Sequence, residues 1–198
     1  APNMKTVLSA ENFGDQSEIN GLLLPMSGEG KGRARGFEML LQKRLTGALY
    51  GRVSYSFSQT RHAALDGVMR PGTFDSPHTF AAIGGYRLGP KWQFSTRFTY
   101  VSGRPYTPAL LDASYEQNRW IYDLTRVNAE RLPVYHRLDV RAERKLLWGG
   151  TNAVLVFEVQ NVYNRENISG YRWNARARTI TTNTQLPLIP VVGINLEF

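Results

Sequence analysis

At 198 residues the chain has room for about one domain. Its composition, 42% hydrophobic and 12% aromatic with no run near the length of a spanning helix, excludes both a bundle of membrane helices and a disordered chain. The net charge of +8 points to nucleic acid, an acidic membrane surface or an anionic ligand without choosing among them, and the absence of cysteine excludes disulfides, thiolate metal sites and a Cys nucleophile.

The chain opens Ala1-Pro2-Asn3 with no charged-then-apolar leader, so a mature, processed or excised polypeptide is expected. Met4 to Ala10 alternates poorly and is the place for an eighth strand beside seven clear ones. Gly28-Glu29-Gly30-Lys31-Gly32 lacks the Gly-Lys-Ser/Thr and the following helix of a phosphate loop, and reads as a flexible approach to the first clear strand. Residues 1–31 are therefore taken as a weak strand and loop, and 32–198 as a β domain.

Period-two alternation, the mark of a half-buried strand, then recurs. Over 35–43, Phe37, Met39 and Leu41 oppose Glu38 and Gln42. Over 49–58, Leu49, Val53, Tyr55 and Phe57 oppose Arg52, Ser54 and Ser56. Phe80, Ala82, Tyr86 and Leu88 oppose Ala81, Ile83 and Arg87; Trp92, Phe94, Phe98 and Tyr100 oppose Gln93, Ser95 and Arg97. Leu138, Val140, Ala142 and Leu146 oppose Arg137, Asp139, Arg141 and Glu143; Ala153, Leu155, Phe157 and Val159 oppose Asn152 and Glu158. Val192, Ile194, Leu196 and Phe198 close the series.

The connections alternate in length. Leu45-Thr46-Gly47-Ala48, Gly89-Pro90-Lys91 and Gly149-Gly150-Thr151 read as tight turns, whereas 59–77, 102–134 and 164–188 are long and polar. Strands of about 9–12 residues, short turns at one end and long loops at the other predict an antiparallel transmembrane β-barrel with short periplasmic turns and long extracellular loops. A soluble β-sandwich also alternates, but it does not call for one-sided loops or strands of near-uniform length. Tyr100, Trp92, Tyr86, Trp148 and Phe198 are candidates for interfacial girdles. Lys43 and Arg144 fall on the apolar parity near the short turns, where a long side chain reaches the headgroups.

The polar parity carries the candidate site: Glu38, Arg52, Arg87, Arg97, Arg137, Asp139, Arg141, Glu143 and Glu158. Alternating signs favour a salt-bridge network in the lumen over a ligand or ion path, because an eight-stranded barrel holds little but side chains. His62, His78 and His136 lack metal-ligand spacing, and the first two are expected in or beside a solvated loop. No metal or cofactor is expected. His136 and Asp139 lie on opposite parities of one strand and no Gly-x-Ser-x-Gly motif occurs, so no catalytic residue and no enzymatic activity is expected. Arg172-Trp173-Asn174-Ala175-Arg176-Ala177-Arg178 mixes Arg with Trp, but without a nucleic-acid motif it reads as a basic loop facing anionic lipopolysaccharide or solvent.

Several segments, in order, resemble the C-terminal part of a TonB-dependent receptor. They are Gly32-Arg33-Ala34-Arg35-Gly36-Phe37-Glu38, Val53-Ser54-Tyr55-Ser56-Phe57-Ser58, Tyr100-Val101-Ser102-Gly103-Arg104-Pro105-Tyr106-Thr107-Pro108, Tyr135-His136-Arg137-Leu138-Asp139-Val140-Arg141, Asn161-Val162-Tyr163-Asn164-Arg165-Glu166-Asn167 and the run from Pro187 to Phe198. The resemblance implies a piece of the wall of a 22-stranded, plugged outer-membrane transporter for nutrients or siderophores. No plug-like segment or TonB-contacting segment is recognised in this sequence, so the chain alone is not expected to carry out energised uptake. The alternative is a small stand-alone structural or adhesive barrel. The expected partners are outer-membrane lipid and lipopolysaccharide, the outer-membrane assembly machinery reading the segment that ends at Phe198, and a second copy through open edge strands; nucleic acid is not expected.

Overall fold

A computed structural model describes residues 18–19, 22–23, 28–148 and 150–197. It is an all-β structure with one short helix. Two short strands, β1 (Glu18–Ile19) and β2 (Leu22–Leu23), pair with each other. The body is one antiparallel meander: β3 (Lys31–Thr46), β4 (Leu49–Ala63), β6 (His78–Leu88), β7 (Trp92–Val101), β10 (Tyr135–Trp148), β11 (Thr151–Gln160) and β14 (Ile189–Glu197), each hydrogen-bonded to the one before it. The seven runs read from alternation thus become its seven long strands.

The short connections do what glycine allows. Gly47, Gly89 and Gly150 adopt φ of +64°, +63° and +85°, in the left-handed region where a Cβ is penalised, and they reverse the chain between β3 and β4, β6 and β7, and β10 and β11. All three lie at one end of the sheet. At the other end the long connections carry structure of their own, which the alternation did not reveal. The first contains β5 (Arg70–Pro71), paired with β4. The second contains β8 (Pro105–Tyr106), the helix α1 (Leu111–Gln117) and β9 (Glu130–Arg131), which pairs with β8. The third folds into a hairpin of β12 (Ile168–Asn174) and β13 (Thr179–Thr184).

Apart from a shift between Lys43 and Thr46, beside the first tight turn, the register is continuous through the meander, so each side chain has a defined face. Met39, Tyr55, Phe80, Tyr100 and His136 form one cross-strand row; Leu41, Val53, Ala82, Phe98 and Leu138 form the next. Leu49, Tyr86, Phe94, Ala142, Phe157 and Val192 form another towards the short turns. This face is apolar and open: Leu41 is 75% exposed, Val192 73% and Met39 64%. The opposite face carries Arg52, Arg97 and Asp139 in one row and Arg87 and Glu143 in another. Most of the buried apolar residues lie elsewhere: Ile121, Leu124, Val127 and Leu132 sit in the loop layer and Ala63 and Ala64 at the end of β4, while Ala153 and Val156 are buried on β11.

One expectation is corrected. The sheet is not closed into a barrel: β14 and β3 are its outer strands. The reason is directional. Seven strands alternating in direction leave the first and last pointing the same way, and an antiparallel barrel closes only with an even number. The expected eighth strand, Met4 to Ala10, lies outside the described residues, as does Phe198. His62 and His78 flank the first long loop: His62 lies next to the end of β4, opposite Gly32, and His78 opens β6. Among the described residues, no helix is long and apolar enough to cross a membrane.

Candidate functional site

Two features combine: the charged face of the meander and the cap formed by the long loops. On the charged face, β10 places Arg137, Asp139, Arg141 and Glu143 at every second position, so all four project the same way. Arg137 Nη2 donates to Asp139 Oδ2 at 2.9 Å, and its Nε lies 2.9 Å from Oδ1 in ion-pair contact without hydrogen-bond geometry. Asp139 is buried, and its Oδ1 also accepts the Asn161 amide at 2.9 Å. Arg141 donates from Nε to Glu143 Oε1 at 2.8 Å and from Nη1 across the ladder to Glu158 Oε2 at 3.3 Å. Glu158 Oε1 accepts Gln160 Nε2 at 2.9 Å. Arg87 donates to Gln93, which donates to the Tyr50 hydroxyl at 3.1 Å.

The predicted set is therefore brought together only in part. Arg137, Asp139, Arg141, Glu143 and Glu158 form two connected ion-pair groups on β10 and β11. Arg87 joins a neutral chain through Gln93. Glu38 lies opposite Ser56, Arg52 opposite Gln42 and Ile83, and Arg97 opposite Ile83 and Asp139, and among the described residues these three enter no ion pair. Arg97 is across from a carboxylate that Arg137 already occupies.

His136 lies on the other face. Its Nδ1 is 2.7 Å from the Tyr163 hydroxyl, and His78 Nδ1 is 2.8 Å from the Tyr55 hydroxyl. Both imidazoles thus belong to an aromatic belt at the loop end of the apolar face, with Phe37, Phe57, Phe80 and Phe98 tilted against their neighbours at centroid distances of 5.5–6.3 Å. A second aromatic group lies near the short turns, where Trp92 stacks on Phe94 at 5.8 Å. The Arg144 guanidinium lies over Trp92, 5.3 Å from the ring centroid, which gives this cation on the apolar parity an aromatic partner.

The cap was not legible in the sequence as a site. Its anchor is Asp75, whose side chain is 1% exposed. Asp75 accepts the Thr60 amide at 2.6 Å and the Arg131 guanidinium, and Arg131 also donates to the carbonyls of Asp75 and Gly103 at 2.7 and 2.9 Å. Asn128 is buried and bridges two loops: its side chain donates to the Pro71 carbonyl at 2.8 Å, and its backbone amide donates to Thr107 Oγ1 at 3.0 Å. The first and second long loops are thereby tied together. The hairpin β12–β13 docks on the second long loop through Trp173 Nε1, which donates to Asn118 at 3.1 Å, and Arg104, which donates to the Ser169 carbonyl at 2.8 Å.

Between these parts is a cleft of about 740 Å³ walled by Phe74, Tyr106, Trp120, Tyr122, Tyr171 and Trp173, with Arg104, Arg119 and Arg172 at its edges. Tyr106 and Tyr171 meet at 5.1 Å. Burial pushes the phenols of Tyr106 and Tyr122 above the usual tyrosine range, so both stay neutral donors. Trp120 Nε1 is shielded from solvent and has no acceptor among the described residues. Of the basic stretch read from sequence, Arg172 and Trp173 reach this cleft, whereas Arg176 and Arg178 are exposed and do not line it. Among the described residues, no group of His, Cys, Asp and Glu side chains is arranged to hold a metal ion.

Comparison with protein-family models, with curated proteins and with solved structures finds no match to this chain.

Proposed function

We propose that the chain is part of the wall of an outer-membrane β-barrel of the TonB-dependent receptor type, with the loop cap on the extracellular side. One observation carries this reading. A meander of seven long strands exposes a continuous apolar face between two aromatic groups, and its ion pairs lie on the other face. In water the exposed Leu, Val, Ile and Phe side chains of that face each forfeit part of the roughly 1.5–3 kcal/mol that full burial contributes. A soluble monomer rarely leaves so broad a patch uncovered. Hydrocarbon covers it without specific partners, and headgroups suit the aromatic ends.

The open edges agree with this reading. In a bilayer every backbone polar group needs a partner, so β3 and β14 must be joined by further strands. A wall of more than eight strands, completed by other parts of a longer receptor, meets that need. It also leaves an aqueous lumen for the charged face of β10 and β11, where Arg137–Asp139 and Arg141–Glu143–Glu158 line the wall. The wall does not supply the plug that energised uptake pulls on, so transport belongs to the complete receptor. The second reading, a stand-alone structural or adhesive barrel, rests on the ordered loop cap, which is built to present a surface whether or not anything is transported.

The test is insertion. The chain folded in detergent should keep β structure by far-UV circular dichroism, shift its migration on SDS gels when heated, and partition into lipid vesicles. A monomer that stays soluble and folded without detergent contradicts the proposal.

A further inference from the structure

The apolar face of β3 and β4 does not stay apolar to its end. Beyond the Phe37–Phe57 pair, the same face continues as Arg35 opposite Gln59 and Arg33 opposite Arg61, with Lys31 following on β3. These positions keep the parity of Phe37 and Phe57, so the side chains share their face. The Arg33–Arg61 pair lies four residues beyond the aromatic belt, about 13 Å along the strand. Arg35 is held by Gln59, with Nε 3.0 Å from Oε1. Arg33, Arg35, Gln59 and Arg61 enclose a small hollow of about 180 Å³.

Two arginines placed directly opposite one another on a sheet repel, and such a pair is destabilising unless an anion lies between them. The residues lining the hollow include no carboxylate. Glu29, just before β3, does not line the hollow and is engaged in an interaction of its own; Glu38, the next acidic residue along β3, is on the other face, and Asp66 and Asp75 are taken by Arg70 and Arg131. The guanidinium forks match phosphate oxygens. The location narrows the source of that phosphate: a site on the outward apolar face, one short step past an aromatic belt at the loop end, is at headgroup height if the face contacts lipid.

We infer that Arg33, Arg35 and Arg61, with Gln59 and Lys31 beside them, form a binding site for the phosphate of a phosphorylated glycolipid in the outer leaflet. The inference rests on the membrane reading given above. The acyl chains of that lipid then run along the exposed row of Phe37, Met39 and Leu41, and the phosphate relieves the repulsion between Arg33 and Arg61.

The experiment uses the whole chain folded in micelles, with diphosphorylated lipid A as probe and native mass spectrometry counting bound lipid. The parent chain should retain lipid A. The double variant Arg33→Gln/Arg61→Gln should lose at least about tenfold in affinity, while without lipid it folds as well as the parent or better, because a like-charge pair has been removed. Arg33→Lys/Arg61→Lys should recover part of the binding, and Lys91→Gln, in the short turn between β6 and β7 at the other end of the sheet, should leave it unchanged. Dephosphorylated lipid A should bind as weakly to the parent as intact lipid A binds to the double variant. Equal binding by the double variant, or equal binding of the dephosphorylated lipid, overturns the inference and leaves the membrane reading standing. Full displacement of the lipid by millimolar inorganic phosphate overturns the glycolipid assignment in favour of a soluble anion. A chain that does not enter micelles or bilayers at all overturns both.

Discussion

Asp75 and Arg131 are 56 residues apart in sequence, and their ion pair joins the loop after β4 to the strand that precedes β10. The carboxylate side chain is almost fully buried and the guanidinium is about one-third exposed, so the Asp75 half of the pair has no water to fall back on. Asp75→Ala should leave the Arg131 guanidinium without its carboxylate and the Thr60 amide without its acceptor and cost about 2–3 kcal/mol of cap stability, below the roughly 3–5 kcal/mol of a fully buried pair because Arg131 keeps solvent contact. Limited proteolysis should then cut within 64–77 and 102–134 while the meander stays protected. Unchanged protease resistance contradicts the anchoring role.

Gly103 gives a steric test of the same cap. A Cβ at this position would overlap the Leu132 carbonyl oxygen, a backbone atom that cannot step aside. Gly103→Ala should therefore separate the two limbs of the second long loop and loosen the cleft, measured as faster amide exchange at Leu132 and Tyr106. Gly170, where a Cβ would meet nothing within 4 Å, is the control at which alanine should be tolerated.

The cap should also have an acid and an alkaline limit. The Asp66 carboxyl is held below the ordinary value of 3.8, first by its hydrogen bond from Arg70. A depressed acid stabilises the fold above its unfolded value, and that contribution is lost as pH falls through the folded value. Tyr122 works in the opposite direction: burial raises its phenol above 10.0, so its contribution is complete below that pH and is lost as pH climbs towards the raised value. Ultraviolet titration should show tyrosines ionising late in the parent, and Tyr122→Phe should reduce the amplitude of that late step while Tyr106, which burial also raises, still contributes to it. Asp66→Asn should flatten the acid side of the cap-opening curve without moving the alkaline side.

Alternation made the seven long strands legible because each has one wet and one apolar face. Their ends were less so: Lys31, Gly32, Arg33 and Ala34 extend β3 by hydrogen bonding to β4, although their side chains show no apolar period. In sequence the β12–β13 hairpin looks like loop because Tyr171 and Trp173 are flanked by polar residues, yet the β-branched run Thr179-Ile180-Thr181-Thr182 is a usable strand signal. The ion pairs within β10 followed from parity alone. The Asp75–Arg131 anchor and the aromatic cleft did not, since they depend on which loops meet, and no local pattern encodes that. The Arg33–Arg61 opposition needed the register between β3 and β4, which is fixed by the tight turn at Gly47.

If the chain is assembled into the outer membrane by the machinery that reads terminal strands, removing Phe198 should reduce its insertion in cells several-fold while leaving refolding in detergent intact. Equal insertion of the truncated chain counts against that partner.

The central claim is that the face bearing Val53, Phe98 and Leu138 meets lipid while the face bearing Ser54, Arg97 and Asp139 does not. The chain has no cysteine, so single cysteines placed along β4, from Gly51 to Phe57, report on this without background. In vesicles, labelling by a membrane-impermeant maleimide and by a lipid-confined probe should alternate with period two, odd positions reached from lipid and even positions from water. Aqueous labelling at every position along the strand would contradict the membrane-wall account.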